Sequence, residues 1–107
     1  MIIEFIMEKE KLLSSYSTGK RNFVGIDLRY ADLSNTDLRF IELTGADLSH
    51  ANFSNAELRY ANFKYADLSH TNFAFADLYQ GNLSHTKLLE TNFVFADLSL
   101  ADLKPGP

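Results

Sequence analysis

From Phe23 to Leu103 a Leu or Phe stands at every fifth position, seventeen times in succession. On an α-helix five residues advance about 500°, so side chains at this spacing would be smeared around the whole circumference. On a flat strand the period is two, and an odd spacing would send alternate Leu residues into water. The pattern therefore predicts short extended stretches broken by bends, wound so that each repeat returns its large apolar side chain to one common axis.

The intervening positions agree with that winding. Two residues before each Leu or Phe, the side chain is Ala, Thr or Gly in 14 of 17 repeats, as in Ala46, Ala51, Ala56, Ala61 and Ala66. Local alternation points this small residue inward beside the large one. The residue between them faces out and is Asp, Asn or Glu in 16 of 17 repeats. The remaining two positions, mostly polar, charged or aromatic, turn the corner.

Stacking of like residues sets the number of sides. Grouping the repeats by fours places Phe53, Phe73 and Phe93 in one column, Phe23 and Phe63 in the opposite one, and only Leu in the other two. The outer positions repeat at a lag of twenty as well: Gly25 with Gly45, Asn35 with Asn55, Arg39 with Arg59, Ser49-His50 with Ser69-His70, and Phe75 with Phe95. Three sides would scatter the Phe residues, so four are expected.

Stretches such as Ala46-Asp47-Leu48-Ser49-His50 and Ala51-Asn52-Phe53-Ser54-Asn55 resemble the A(D/N)LXX unit of pentapeptide-repeat proteins, and the segment from Leu12 to Phe23 is similar to the N-terminal approach of small members frequent in cyanobacteria. The resemblance implies a right-handed quadrilateral β-helix with four repeats per coil. The expected fold class is thus all-β, a pentapeptide-repeat solenoid carrying a short N-terminal capping helix. It divides the chain into an N-terminal segment with the capping helix (1–21), a β-helix of about four coils (22–104) and a C-terminal tail (105–107). Arg21, Ile26 and Ile41 depart from the small-residue position and Lys87 from the acidic one, which predicts local bulging.

The ends of such a coil expose an apolar cross-section and need covers. Over residues 6–18, Leu12, Leu13 and Tyr16 fall at helical spacing, Lys and Glu alternate at positions 8–11, and Gly19 suits a helix C-cap. This helix is expected to lid the first coil. Lys104-Pro105-Gly106-Pro107 breaks regular structure, so the C-terminal coil is expected to pair with a second copy as a homodimer.

Composition narrows the function classes. A chain of 107 residues allows one domain, and a net charge of −4 argues against direct nucleic-acid binding, which draws on a basic surface. The absence of Cys removes disulfides, thiolate metal sites and cysteine nucleophiles. Met1 to Met7 carries Glu4 and no basic leader, so neither a secretory signal nor a membrane span is expected, and the cytoplasm is the expected location.

Three surface constellations carry candidate chemistry. Asp37, Glu57, Asp77 and Asp97 form an acidic ladder on one side, opposite Asp27, Asp47 and Asp67. Such ladders either imitate a phosphate backbone or only accept backbone hydrogen bonds at the bends. His50 and His70 share a column with Glu90, while His85 lies on another corner; these do not give the three or four converging ligands of a metal centre. Adjacent Ser49-His50 and Ser69-His70 point apart, with no third group and no pocket. No catalytic, metal or cofactor site and no small-molecule substrate is therefore expected. The third constellation is apolar: Ala74, Phe75, Tyr79, Leu89, Val94, Phe95 and Leu100 are expected to form a protein-contact patch.

These features suggest a non-enzymatic structural and protein–protein interaction module that presents the outer faces of a β-helical rod. The alternative is a DNA mimic that regulates a DNA-handling enzyme such as a type II topoisomerase. The resemblance extends to larger pentapeptide-repeat proteins of that kind, which are longer dimers.

Overall fold

The computed structural model describes residues 2–106 of the chain, with side chains from residue 8 onward. It opens with a single helix, α1 (Ile2–Ser17), which starts four residues earlier than the Leu12/Leu13/Tyr16 spacing suggests. Its end is set by Gly19 at φ 109°, a conformation that side chains rarely adopt. The Gly19 N–H donates to the Tyr16 carbonyl (2.9 Å) and the Lys20 N–H to the Ser15 carbonyl (3.0 Å), the paired bonds of a Schellman stop. Leu12 is fully buried, and Leu13 and Tyr16 pack against the core. The Tyr16 hydroxyl donates to the Arg39 carbonyl at 2.8 Å, which ties α1 to the wound segment.

From residue 22 onward the chain repeats one unit: a residue in an isolated bridge, then a turn. The bridges are all parallel and all join residues twenty apart, from Asn22–Glu42 through Asp47–Asp67 to Asn82–Asp102. Each repeat sends hydrogen bonds to the repeats twenty residues away: Leu28 N–H to Asp47 O, Tyr30 N–H to Ser49 O and Asp47 N–H to Ile26 O (2.9, 3.2 and 3.0 Å). The register passes through Ile26, Ile41 and Lys87 without a break, so the bulging expected at those positions is absent. Ile41 is simply buried, and Arg21 turns back to lay its guanidinium over the Tyr16 ring at 3.7 Å.

The expected all-β class is corrected by this geometry. Among the described residues there is no β-strand, α1 is the one regular element, and the rest is turn, coil and single-residue bridges rather than the strands of a β-helix solenoid. The reason lies in the repeat length. Five residues leave one position that can bridge before the next corner, and the corner residue has positive φ: 62° at Tyr30, 59° at Asn35, 64° at Phe40, 62° at His50. A left-handed residue every five positions stops any ladder from extending. Nor is the molecule a rod, since its extents are 32 × 26 × 25 Å.

Most turns are closed by the carbonyl of the large apolar residue, which accepts from the N–H three residues on, as in Ala31 to Leu28 (3.1 Å) and Ala51 to Leu48 (2.9 Å), while the Leu33 and Leu83 carbonyls accept the hydroxyls of Thr36 and Thr86. None of the corner residues is Val, Ile or Thr, whose branched Cβ crowds this region most. A non-glycine side chain costs roughly 1–2 kcal/mol there, so much of the winding is held against local strain by its interior.

That interior is continuous. The large residues from Phe23 to Leu83 are buried, as are Ala31, Ile41 and the alanines at 46, 51, 56, 61, 66 and 76 beside them. Phe53 and Phe73 stack at 5.3 Å, Phe73 and Phe93 at 5.4 Å, and Phe63 meets both Phe53 and Phe73 edge-on at 6.0 and 5.6 Å. Burial declines in the last turn of the coil, where Leu88 is 38 % and Leu103 43 % exposed.

Candidate functional site

The bridge residues are the outward Asp, Asn and Glu of each repeat, so the winding turns them into columns. Asp37, Glu57, Asp77 and Asp97 are linked in series by successive bridges, and so are Asp27, Asp47 and Asp67, whose column continues in Lys87. A third column is neutral beyond Asp32: Asn52, Asn72 and Asn92, with the Asn92 amide donating to Asn72 Oδ1 at 3.2 Å. The same side chains brace the corners. Asp47, Asn52, Asn72, Asp77 and Asp97 each accept the backbone N–H two residues on, at 2.9–3.1 Å.

Cations neutralise these columns unevenly. Arg29 pairs with Asp27 at 2.8 Å and reaches Asp47 at 3.7 Å, and Arg39 pairs with Asp37 at 2.7 Å. Arg59 reaches one turn of the coil onward to Asp77 and lies over the Tyr79 ring, 5.3 Å from its centroid. Asp97 has no ion-pair partner among the described residues. Residues 65–107 hold five acidic side chains and two basic ones, while the two halves of the chain carry the same net charge.

The hydrogen bonds lower several carboxyl pKa values. Arg29 holds Asp27 below the usual carboxylate range, Arg39 does the same for Asp37, and Ser34 and Ser99 do so for Asp32 and Asp97. At Asp67, burial pushes the value up, but the hydrogen bonds from Ser69 outweigh it.

The histidines form a ring stack. His50 and His70 lie 4.6 Å apart and 6° from parallel, Tyr30 stacks on His50 at 4.7 Å, and Glu90 caps the column with an oxygen 3.1 Å from His70 Nδ1. Sequence reasoning placed His50, His70 and Glu90 together but missed Tyr30, which the lag of twenty from His50 also marks. His85 stands apart, against Tyr65 at 5.2 Å. Among the described residues no group of three or more His, Cys, Asp or Glu side chains is placed to hold a metal ion. Ser49 donates its hydroxyl to Asp47 (2.9 Å), away from any role as a nucleophile.

The apolar residues separate by corner. Phe75 and Phe95 stack at 5.3 Å and are 58 % and 81 % exposed, with half-buried Ala74 and exposed Val94 just before them. Leu89 and Leu100 are exposed at the corners on either side. Tyr79 is half-buried, edge-on to Tyr60 at 5.9 Å and beneath Arg59, so it belongs to the Arg59–Asp77 cluster.

A repeat of five residues, an interior of Leu and Phe, and bridges at a lag of twenty define a small structural class. Residues 22–58, 40–73 and 66–104 match the pentapeptide-repeat family in eight copies, and the chain belongs to that family. It is similar to a pentapeptide repeat protein from Nostoc PCC 7120, at 36 % identity over 81 % of this chain and 72 % of the other, with a TM-score of 0.80. Similarity extends to a pentapeptide repeat protein of the Arabidopsis thaliana thylakoid lumen (27 % identity, 77 % of this chain and 61 % of that one, TM-score 0.48). HetL of Nostoc sp. strain PCC 7120, a pentapeptide repeat protein involved in heterocyst differentiation regulation, is 34 % identical over 87 % of this chain and 46 % of its own length, with a TM-score of 0.34. No curated protein matches the chain.

Membership of this non-catalytic family makes the chain a non-enzyme. The expected role as a structural and interaction module presenting the faces of a β-helical rod is corrected together with the fold, because a body without strands and with nearly equal extents is not that rod. Among the described residues no helix is long and apolar enough to cross a membrane.

Proposed function

We propose that the chain acts as a charge mimic of duplex DNA, regulating a DNA-handling enzyme such as a type II topoisomerase. The observation that carries this reading is the pair of carboxylate columns, Asp27/Asp47/Asp67 and Asp37/Glu57/Asp77/Asp97, on opposite sides of one coil. Bridged neighbours repeat about every 4.8 Å, so two columns set roughly one carboxylate per 2.4 Å of axis, against about one charge per 1.7 Å in duplex DNA. Asp27, Asp37 and Asp77 are paired with Arg29, Arg39 and Arg59, and Asp47 lies 3.7 Å from Arg29, so Glu57, Asp67 and Asp97 are the column carboxylates that make no ion pair among the described residues.

The test is supercoiling of relaxed plasmid by a bacterial gyrase in the presence of increasing protein. Inhibition that grows with protein concentration, fades with added salt and is relieved by extra DNA is the expected result. Unchanged supercoiling at protein concentrations of tens of micromolar, with the chain verified as folded, overturns the reading.

A further inference from the structure

We propose that the Phe75–Phe95 corner and Asp97 form a docking point for an arginine-bearing segment of a protein partner. The proposal rests on the charge-mimicry reading and names the contact through which the enzyme surface is held. Elsewhere the chain holds one arginine between a carboxylate and a ring, there with the ring two residues after the carboxylate and here with the rings before it. Arg59 joins its guanidinium to Asp77, in the next turn of the coil, and covers the Tyr79 ring (5.3 Å), so one arginine is held by a carboxylate and an aromatic ring together. Twenty residues on, the column supplies Asp97 but no arginine: the position equivalent to Arg59 is Tyr79, and the next is Ser99. Asp97 makes no ion pair among the described residues and is exposed; hydrogen bonds from Ser99 hold its pKa down, with a smaller contribution from the Arg59 charge.

The corner two residues before Asp97 also departs from the pattern of its own column. The first two turns carry Asn35 and Asn55 at this corner, preceded by Ser34 and Ser54; the next two carry Phe75 and Phe95, preceded by Ala74 and Val94. Stacking explains why the two rings face each other at 5.3 Å. It leaves Phe95 81 % and Phe75 58 % in water, where an aromatic pair loses most of its burial energy. Polar Asn serves the same turn at the same positive φ one and two turns earlier, so the corner does not demand phenylalanine. An arginine fits both halves of the site: its aliphatic stem covers the rings while its guanidinium pairs with Asp97 two residues away. A lysine would offer a point charge without the planar fork or the ring stacking.

The test uses the full chain and a fluorescein-labelled peptide, Arg-Leu-Arg-Leu-Arg, by fluorescence anisotropy, with the Lys-Leu-Lys-Leu-Lys peptide as comparator. The wild-type chain should bind the arginine peptide several-fold more tightly than the lysine peptide. Asp97→Asn and the Phe75→Ser, Phe95→Ser double variant should each weaken binding at least fivefold, whereas Glu10→Gln, an exposed position of α1 outside both columns, should change it less than twofold. Equal binding by wild type and either site variant, each shown folded by circular dichroism, overturns the docking point; so does equal affinity for the two peptides. Adding the variants to the gyrase assay separates the two ideas. Inhibition by wild type and double variant alike removes the corner and leaves charge mimicry standing, whereas no inhibition by wild type, with selective peptide binding intact, removes the mimicry and leaves an arginine site.

Discussion

Replacing Phe63 by Ala and by Leu separates two contributions to the core. Phe63 is fully buried and meets Phe53 and Phe73 edge-on at 6.0 and 5.6 Å. Its column reads Phe23, Leu43, Phe63, Leu83, so the turns before and after it already accommodate leucine on this side. Phe63→Leu therefore keeps an apolar side chain of proven fit and loses mainly two ring pairs, worth roughly 0.5–1.5 kcal/mol each, about 1–3 kcal/mol together. Phe63→Ala opens a cavity as well and should cost about 3–5 kcal/mol, a large part of the roughly 5–15 kcal/mol that holds a domain of this size. Urea unfolding followed by far-ultraviolet circular dichroism and tyrosine fluorescence, in a chain with no Trp, measures both. If Leu costs as much as Ala, the ring pairs and not the filled volume dominate, and the argument from the column fails. If Ala costs less than about 1 kcal/mol, the interior is not what opposes the strain at the corners.

Other substitutions probe separate links. Leu58→Asp places a carboxylate among fully buried neighbours and is expected to abolish cooperative unfolding, whereas Arg59→Ser, which removes an exposed ion pair with Asp77, should cost no more than about 1 kcal/mol; equal melting temperatures for the two would contradict the inward assignment. Asn55 sits at φ 59°, so Asn55→Val should destabilise by about 2 kcal/mol or more while Asn55→Gly stays within about 1 kcal/mol of wild type, read from urea midpoints. Thr71 is buried with its hydroxyl on the Leu48 carbonyl (2.8 Å), but that carbonyl also accepts the Ala51 N–H, so Thr71→Ala strands no polar group and should cost about 1 kcal/mol or less in the same assay. The pKa values of Asp27, Asp32, Asp37, Asp67 and Asp97 are lowered in the fold, so their contribution is complete above the unfolded carboxylate value and is lost as the pH falls through the lowered ones; thermal melts should show stability dropping below about pH 5, and a flat profile down to pH 2 would remove it.

The interior was readable in the sequence because it is a matter of spacing. A large apolar residue at every fifth position has few ways to reach a common axis, and recurrence of Phe and Leu at a lag of twenty then selects the partners that bridge. What spacing does not contain is the backbone angle at the corner. The positive φ shared by residues as different as Tyr30, Asn35, Phe40 and Gln80 is visible in the sequence only as a lack of branched side chains. That angle is what interrupts the expected strands. The surface was legible in part. His50, His70 and Glu90 fall into one column by counting, but Arg59 crossing to Asp77 depends on where a long flexible side chain finds both a carboxylate and a ring, and counting does not supply that. For the same reason Tyr79 was grouped with the exposed apolar corner although it lies under Arg59.

The constant lag between bridged residues makes the coil sensitive to the size of any insertion or deletion in a way its core does not reveal. Excising residues 61–65 would preserve the alternation of small and large inward side chains, yet every later column would slip by a quarter turn, setting His70 above Gly45 and Phe75 above His50. Excising a multiple of twenty shortens the molecule and leaves its outer lettering aligned. Gene rearrangements in units of five residues can thus scramble what the exterior says to other molecules while the protein still folds.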